Sequence, residues 1–302
     1  MKTIAVVITT YNRISLLKDL IKSIREQTVQ DFQIIVVNNA SNDGTEKWLK
    51  TQSDVITITQ ENCGGAGGFF TGMKYAAENG YQYCWLMDDD VFCYTTALEE
   101  LMKITDLNGI DFGYVCSKVI GIDNEPMNVP TVDTRPSVSG YPNWLAEIEH
   151  DLIRVLSATF VSILIPMKNI TELGLPYKEF IIWGDDIEYT TRISKKKISF
   201  LAFNSVVVHR REQQYYLEFE KERDPARLKK YFYMFRNELF TVFKHGTVLQ
   251  RIKHIFMYIF RFLKILLRFD FRRLYILIKS LFASFVFFPK IYYPKKMSTG
   301  TI

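Results

Sequence analysis

Absences narrow this 302-residue chain first: it has no clean membrane-spanning run, no paired-cysteine motif and no standard nucleotide-binding glycine signature. Ile255 to Leu267 and Leu274 to Phe288 come nearest to a span. Arg261 and Lys264 break the first and Lys279 the second, whereas a span needs about 20 predominantly apolar residues. The four cysteines, Cys63, Cys84, Cys93 and Cys116, form no C-x-x-C pair and have no histidines at zinc-finger spacing. They read as reduced thiols. The glycine-rich stretch gives no G-x-G-x-x-G, and Gly67-x-x-x-x-Gly72 is followed by Met73 instead of the lysine of a P-loop. The start, Met1 to Ile8, enters a strand without the apolar core and cleavage site of a signal peptide, which points to an intracellular protein. Net charge is only +5, with the excess gathered near the C-terminus, so a nucleic-acid footprint over the whole chain is excluded.

What is present is a globular composition, 48% apolar. Ile4 to Thr9 is a continuous apolar run of strand length, and Ile14, Leu17, Leu20, Ile21 and Ile24 then repeat at helical spacing. Phe32 to Val37 reads as a second strand. A polar turn, Asn38 to Thr45, follows, where Asp43 and Glu46 have capping-box spacing before a helix carrying Trp48 and Leu49. Val55 to Thr59 is a third strand. The β-α-β-α-β order predicts a mainly parallel sheet with helices on both faces. Glu61 to Gly72 is the most glycine-rich segment, which must let a backbone approach something closely or adopt positive φ, and a helix is expected from about Phe70 to Asn79. That helix either points free amides at an anionic ligand or packs tightly on the sheet.

Tyr81 to Met87 reads as a buried strand that ends in Asp88-Asp89-Asp90. Three adjacent like charges repel, so they are either solvated on a turn or held by a cation, and carboxylates are hard ligands suited to Mg²⁺ or Mn²⁺. Carboxyl ends of strands are where open α/β sheets bind ligands. Short strands are expected around Gly113 to Val119 and Thr159 to Pro166. They are separated by a proline-containing loop, Asn124 to Trp144, whose Tyr141 and Trp144 either stack on sugar rings or anchor the loop. Phe180 to Trp183 repeats the apolar-then-acid pattern with Asp185, Asp186 and Glu188 at a helix start, and Val206 to Val208 ends a strand at His209. The recurrence favours a second pole of one site.

Together Val6 to Arg13, Val36 to Thr45, the aspartate triplet and Asp185 to Tyr189 resemble, in order, family 2 of the glycosyltransferases, over about the first 210 residues. Asn62 to Phe69 and Tyr231 to Asn237 look more narrowly like bacterial galactofuranosyl- and rhamnosyltransferases. The resemblance implies the α/β type A fold with a mainly parallel Rossmann-like sheet. It also implies an inverting transfer of a hexosyl group, galactofuranose before rhamnose, to a cell-surface glycan or polyprenyl-linked acceptor. Under it Thr9, Tyr11, Arg13, Asn39, Gly65, Gly67 and Asp88 line the nucleotide site, a UDP-sugar being favoured over a dTDP-sugar. Asn39 departs from the aspartate that many relatives use to hold uracil. Asp88, Asp90 and His209 correspond to the ligands of Mn²⁺ or Mg²⁺. Asp186 corresponds to the catalytic base, with Asp185 and Glu188 as rivals. The alternatives are a non-catalytic carbohydrate-binding subunit and a nucleotidyltransferase.

From His245 to Lys296 the chain is basic and aromatic, with Asp270 its only acid. Two readings follow: helices lying in a membrane interface, which makes the protein cytoplasmic and peripheral on the inner membrane face, or a bundle packed on the domain or forming an oligomer contact. The expected organisation is residues 1–110 for the nucleotide sugar, 111–212 for the acceptor and base, and 213–302 as the helical extension.

Overall fold

The computed structural model describes residues 2–107, 110–211 and 218–295. The expected junction near residue 212 lies outside them. The first elements are β1 (Ile4–Thr10), α1 (Ile14–Arg25), β2 (Phe32–Asn38), α2 (Thr45–Leu49), β3 (Val55–Thr59), α3 (Gly64–Glu78) and β4 (Tyr83–Asp88). Next come β5 (Val91–Cys93), α4 (Ala97–Met102), β6 (Phe112–Ile120), β7 (Thr131–Val132), β8 (Leu152–Ser157), β9 (Ile163–Pro166), α5 (Met167–Leu173), α6 (Asp185–Ser194) and β10 (Ile198–His209).

These strands form one mixed sheet in the order β3-β2-β1-β4-β9-β6-β10-β8-β7, with β5 on the end of β10. β3, β2, β1, β4, β6 and β10 point the same way, while β9, β8 and β5 oppose them. The expected mostly parallel α/β sheet is therefore present, and antiparallel β9 joins its two halves. Strand alternation separates the two faces of β1. Ile4, Val6 and Ile8 pack with Leu17, Leu20 and Ile24 of α1, whereas Ala5 and Val7 pack with Phe69, Phe70 and Met73 of α3.

Two local expectations are corrected. The capping box does not form: Gly44, at φ +92°, precedes α2 without a side-chain cap. Asp43 instead accepts from Ile14 N–H at the start of α1 and from the Thr45 N–H and hydroxyl. The helix expected from about Phe70 starts earlier, because α3 begins at Gly64 and takes in the glycines. A Cβ at Gly68 would collide with the Thr9 hydroxyl, and one at Gly72 with Val7. Close helix-on-sheet packing explains both glycines.

Beyond the sheet lie α7 (Pro225–His245), α8 (Val248–Leu267) and α9 (Phe271–Phe285). Asp224 caps α7 by accepting from Ala226 and Arg227 N–H, and Thr247 with Gln250 forms a capping box on α8. The three helices share a core of Leu228, Tyr231, Phe235, Tyr258 and Leu277 with Phe219. After α9 the chain returns to the sheet domain. Leu175 N–H donates to Tyr292 O at 2.8 Å, and the Tyr292 ring meets Phe70 edge-on. The extension is packed on the domain along one side, as the bundle reading expected.

Candidate active site

The carboxyl edge of the sheet gathers the first acidic cluster. Asp88 ends β4 beside Thr9 of β1, and β5 pairs with β10 so that His209 lies opposite Val91, next to Asp90. His209 Nε2 is 3.0 Å from Asp90 Oδ1, and His209 Nδ1 is 2.8 Å from the Asn128 side-chain oxygen. With Nδ1 engaged by Asn128, Nε2 is the nitrogen turned toward the acids, where it meets Asp90. Donor atoms of Asp88, Asp90 and His209 all lie within 4.8 Å of one another.

Charge at this corner is unbalanced. Burial, with repulsion from Asp90, pushes the Asp88 carboxyl up to about 7, and burial pushes Asp89 up to about 6. Burial also acts to raise Asp90, but the hydrogen bond and charge of His209 and the charge of Arg13 hold it below the usual carboxylate range. Arg13 Nη1 donates to Asp89 at 3.1 Å and Asp90 at 2.8 Å, and the Thr10 hydroxyl donates to Asp89 at 2.7 Å. Asp89 is thus tied to the scaffold. Asp88 has no such ion pair among the described residues. Two carboxylates and an imidazole at this spacing fit a divalent ion, which would relieve the repulsion that raises Asp88.

The second cluster stands at the start of α6. Asp185 is buried, and burial with repulsion from Asp186 holds its carboxyl well above the usual range. Burial pushes Asp186 up to about 6. The two clusters sense each other, since the charge of Asp186 raises Asp88 and that of Asp88 raises Asp185. The two clusters are therefore within electrostatic reach of each other.

A profile of the glycosyl transferase family 2 matches residues 5–165, more than half of the chain. The chain belongs to that family. Its members include inverting, nucleotide-sugar-dependent enzymes of the type A fold, and this chain is one of them. Galactofuranosyltransferase GlfT1 of Mycolicibacterium smegmatis is 26% identical over 208 residues, 66% of this chain and 68% of the relative. An uncharacterized glycosyltransferase of Rickettsia prowazekii is 28% identical over 60% of this chain and 57% of its own length. Among solved structures, S. aureus TarS in complex with UDP aligns at TM-score 0.56 and 13% identity, covering 82% of this chain and 67% of that one. GalNAc-T7 with UDP, GalNAc and Mn²⁺ aligns at TM-score 0.58 and 15% identity, covering 80% of this chain and 48% of that one. These two share the fold.

In this family 2 chain the expected nucleotide residues do not all present themselves alike. Tyr11 is 47% exposed, and the Arg13 side chain is half-exposed while holding Asp89 and Asp90. Asn39 is only 2% exposed: its amide donates to the Thr9 hydroxyl and Gly64 O at 3.2 Å each and accepts from Gln60 at 2.8 Å. Its polar groups are occupied within the protein. Gly65 opens onto free space, whereas Gly67 is buried inside α3 against Cys63.

Glu188 is fully buried. Arg192 clasps it through two donors, at 2.7 and 3.2 Å, and His245 of α7 lies at 2.8 Å. Arg192 lies one helical turn on from Glu188, the spacing at which such a pair meets. That ion cluster welds α6 to α7, which is a structural use of the carboxylate. In the loop from Asn124 to Trp144, Tyr141 is exposed and Trp144 O accepts from Arg154 N–H at 3.1 Å. Thr10, Asn128 and Gln60 entered the site unforeseen. Their partners are 79, 81 and 21 residues away, a separation that no local pattern reveals. Helix α7 did carry a signal, the Asp224-Pro225 pair that starts helices.

Proposed function

We propose that this protein transfers a hexosyl group from a UDP-sugar, galactofuranose before rhamnose, to a glycan or polyprenyl-linked acceptor, with Asp186 as the base. The observation that carries it is the Asp88, Asp90 and His209 group at the carboxyl edge of the sheet, with Asp185 and Asp186 forming a second acidic cluster at the start of α6. Similarity to galactofuranosyltransferase GlfT1 supports the sugar, and the UDP in the TarS and GalNAc-T7 structures supports the nucleotide.

Thr9, Tyr11, Arg13 and Gly65 bind the nucleotide in this reading, and Asn39 shapes the site by tying Thr9 to Gly64. Asp88, Asp90 and His209 would hold Mn²⁺ or Mg²⁺, which when bound offsets charge on the departing diphosphate. The acceptor hydroxyl gives its proton to the Asp186 carboxylate as its oxygen bonds to the anomeric carbon. The bond from that carbon to the diphosphate breaks on the opposite side, so configuration inverts. A carboxyl near 6 is mostly ionised at neutral pH yet a better base than a solvated aspartate.

The outer faces of α8 and α9 support attachment to an anionic membrane surface. Leu249, Ile252, Phe256, Phe260, Leu263 and Leu267 make one exposed stripe at helical spacing, and Phe271, Tyr275, Phe282 and Phe285 continue it on α9. Exposed Lys253, Lys264, Arg268, Arg272 and Lys279 accompany them. Apolar patches of this extent mark interaction surfaces, and basic neighbours favour anionic headgroups. No helix among the described residues is long and apolar enough to cross a membrane.

Turnover against a panel of UDP- and dTDP-sugars with Mn²⁺ tests the reaction. Release of a nucleoside diphosphate supports it, release of pyrophosphate would make the protein a nucleotidyltransferase, and no turnover of any donor would favour a carbohydrate-binding subunit.

A further inference from the structure

The four residues before Asp185 have a backbone that they cannot hold alone. Ile181 sits at φ +66°, ψ −62°, Trp183 at φ +62° and Gly184 at φ +88°. A β-branched and an aromatic residue at positive φ each cost on the order of 1–3 kcal/mol, and such conformations persist only where surroundings over-determine them. Here the surroundings are two consecutive residues of α7. The Asn237 amide, fully buried, donates into the carbonyls of Phe180, Ile182 and Trp183 at 3.0, 3.3 and 2.8 Å. Arg236 donates to Glu179 O at 2.7 Å and, through Nε and Nη2, to the Asn237 side-chain oxygen at 3.0 and 2.8 Å. The remaining carbonyl, Ile181 O, accepts from Ala66 N–H of α3 at 3.2 Å. Every carbonyl from 179 to 183 thus faces a donor from another element.

Only an amide can fill the Asn237 position. Its NH₂ must meet carbonyls while its oxygen meets a guanidinium, and Arg236 fixes which end is which. Arg236 is itself packed over the Phe287 ring at 3.7 Å and has no carboxylate partner among the ion pairs of the described residues. Its hydrogen bonds go to the segment and to Asn237. We infer that Asn237, oriented by Arg236, is a positioning residue that holds the strained 180–184 segment and so sets where Asp185 and Asp186 stand against the metal-binding corner. The pair lies in the Tyr231 to Asn237 motif. Being on α7, it also makes the orientation of the acidic cluster depend on the helical extension.

This inference rests on the proposed role of Asp186, so its test has a substrate-free arm. Asn237→Asp keeps size but sets a carboxylate against three carbonyls. Arg236→Lys keeps the charge but loses the two-point grip on the amide, and serves if the first variant does not fold. Hydrogen exchange of the amides of residues 181–187 should speed by about tenfold or more, with β1 and β4 unchanged. Calorimetric affinity for UDP with Mn²⁺ should stay within about twofold, since no residue assigned to the nucleotide or the metal is replaced. With the donor found by the panel, kcat should fall by about 10- to 100-fold at nearly constant donor KM. Unchanged exchange in a folded variant overturns the clamp, and so does a loss spread equally over exchange in β1 and β4. If the native protein turns over no donor, exchange still decides the clamp while the role given to Asp186 falls separately.

Discussion

Replacing Asp186 by Asn separates a reacting carboxylate from a structural one, because activity and stability should move in opposite directions. Burial shifts the carboxyl from its ordinary 3.8 to about 6. The folded protein binds this proton more tightly than the unfolded chain, so the associated stability is complete below 3.8 and is lost as pH rises through 6. At about 1.36 kcal/mol per pH unit, the charged side chain costs the fold at most about 3 kcal/mol at neutral pH. Asparagine removes the charge and can still accept from the Ile187 N–H, now bonded at 2.7 Å. The variant should therefore melt several degrees higher at pH 7 and lose that advantage below pH 4. Turnover should fall by about 10²- to 10⁴-fold, the usual worth of a general base, while UDP affinity changes little. In the native protein the rate should rise about tenfold from pH 5 to a plateau above pH 7. Calorimetric melting and a pH–rate profile measure both. A lower melting temperature, or a near-normal rate, would show that the carboxylate supports the fold or that the base is Asp185.

Three further outcomes follow from the geometry. Asn128→Ala removes the group that orients His209 and should weaken Mn²⁺ binding by about 10- to 100-fold, read by titrating the rate with Mn²⁺; full turnover in chelator refutes the metal role outright. Glu188→Gln breaks the buried cluster with Arg192 and His245 and should cost about 3–5 kcal/mol of stability; because His245 and Arg192 hold Glu188 below its ordinary 4.5 against burial, that contribution is lost in the native protein as pH falls through this range, and an unchanged melting temperature would contradict it. The double substitution Phe256→Glu, Phe260→Glu should abolish flotation with anionic liposomes, and attachment of the native protein should weaken with salt, charges being screened within about 10 Å at 0.1 M. Equal flotation of both proteins removes the membrane reading. Deleting residues 246–302 is the poorer test, since it would strip Tyr258 and Leu277 from the Tyr231 and Phe235 core.

Sequence alone determined the local elements and the chemistry gathered at their ends. The apolar run of β1, the helical period of α1 and the strand ending in Asp88 were all legible, because alternation and the 3.6-residue period record which face is buried. Motif order was enough to indicate the family. Tertiary structure alone decided how the acids are balanced. Nothing near Arg13 announces that it neutralises Asp89 and Asp90, 76 and 77 residues on, and nothing near Glu188 announces His245. For the glycines of α3, whose sequence left both anion-facing amides and tight packing open, tertiary structure showed that Gly68 and Gly72 press the helix on Thr9 and Val7. The 180–184 segment is the sharpest case: its residues favour other backbone angles, and donors from Asn237, 53 to 57 residues away, decide its shape. Hydrogen-bond partners at such separations are set by packing, which local propensity does not encode.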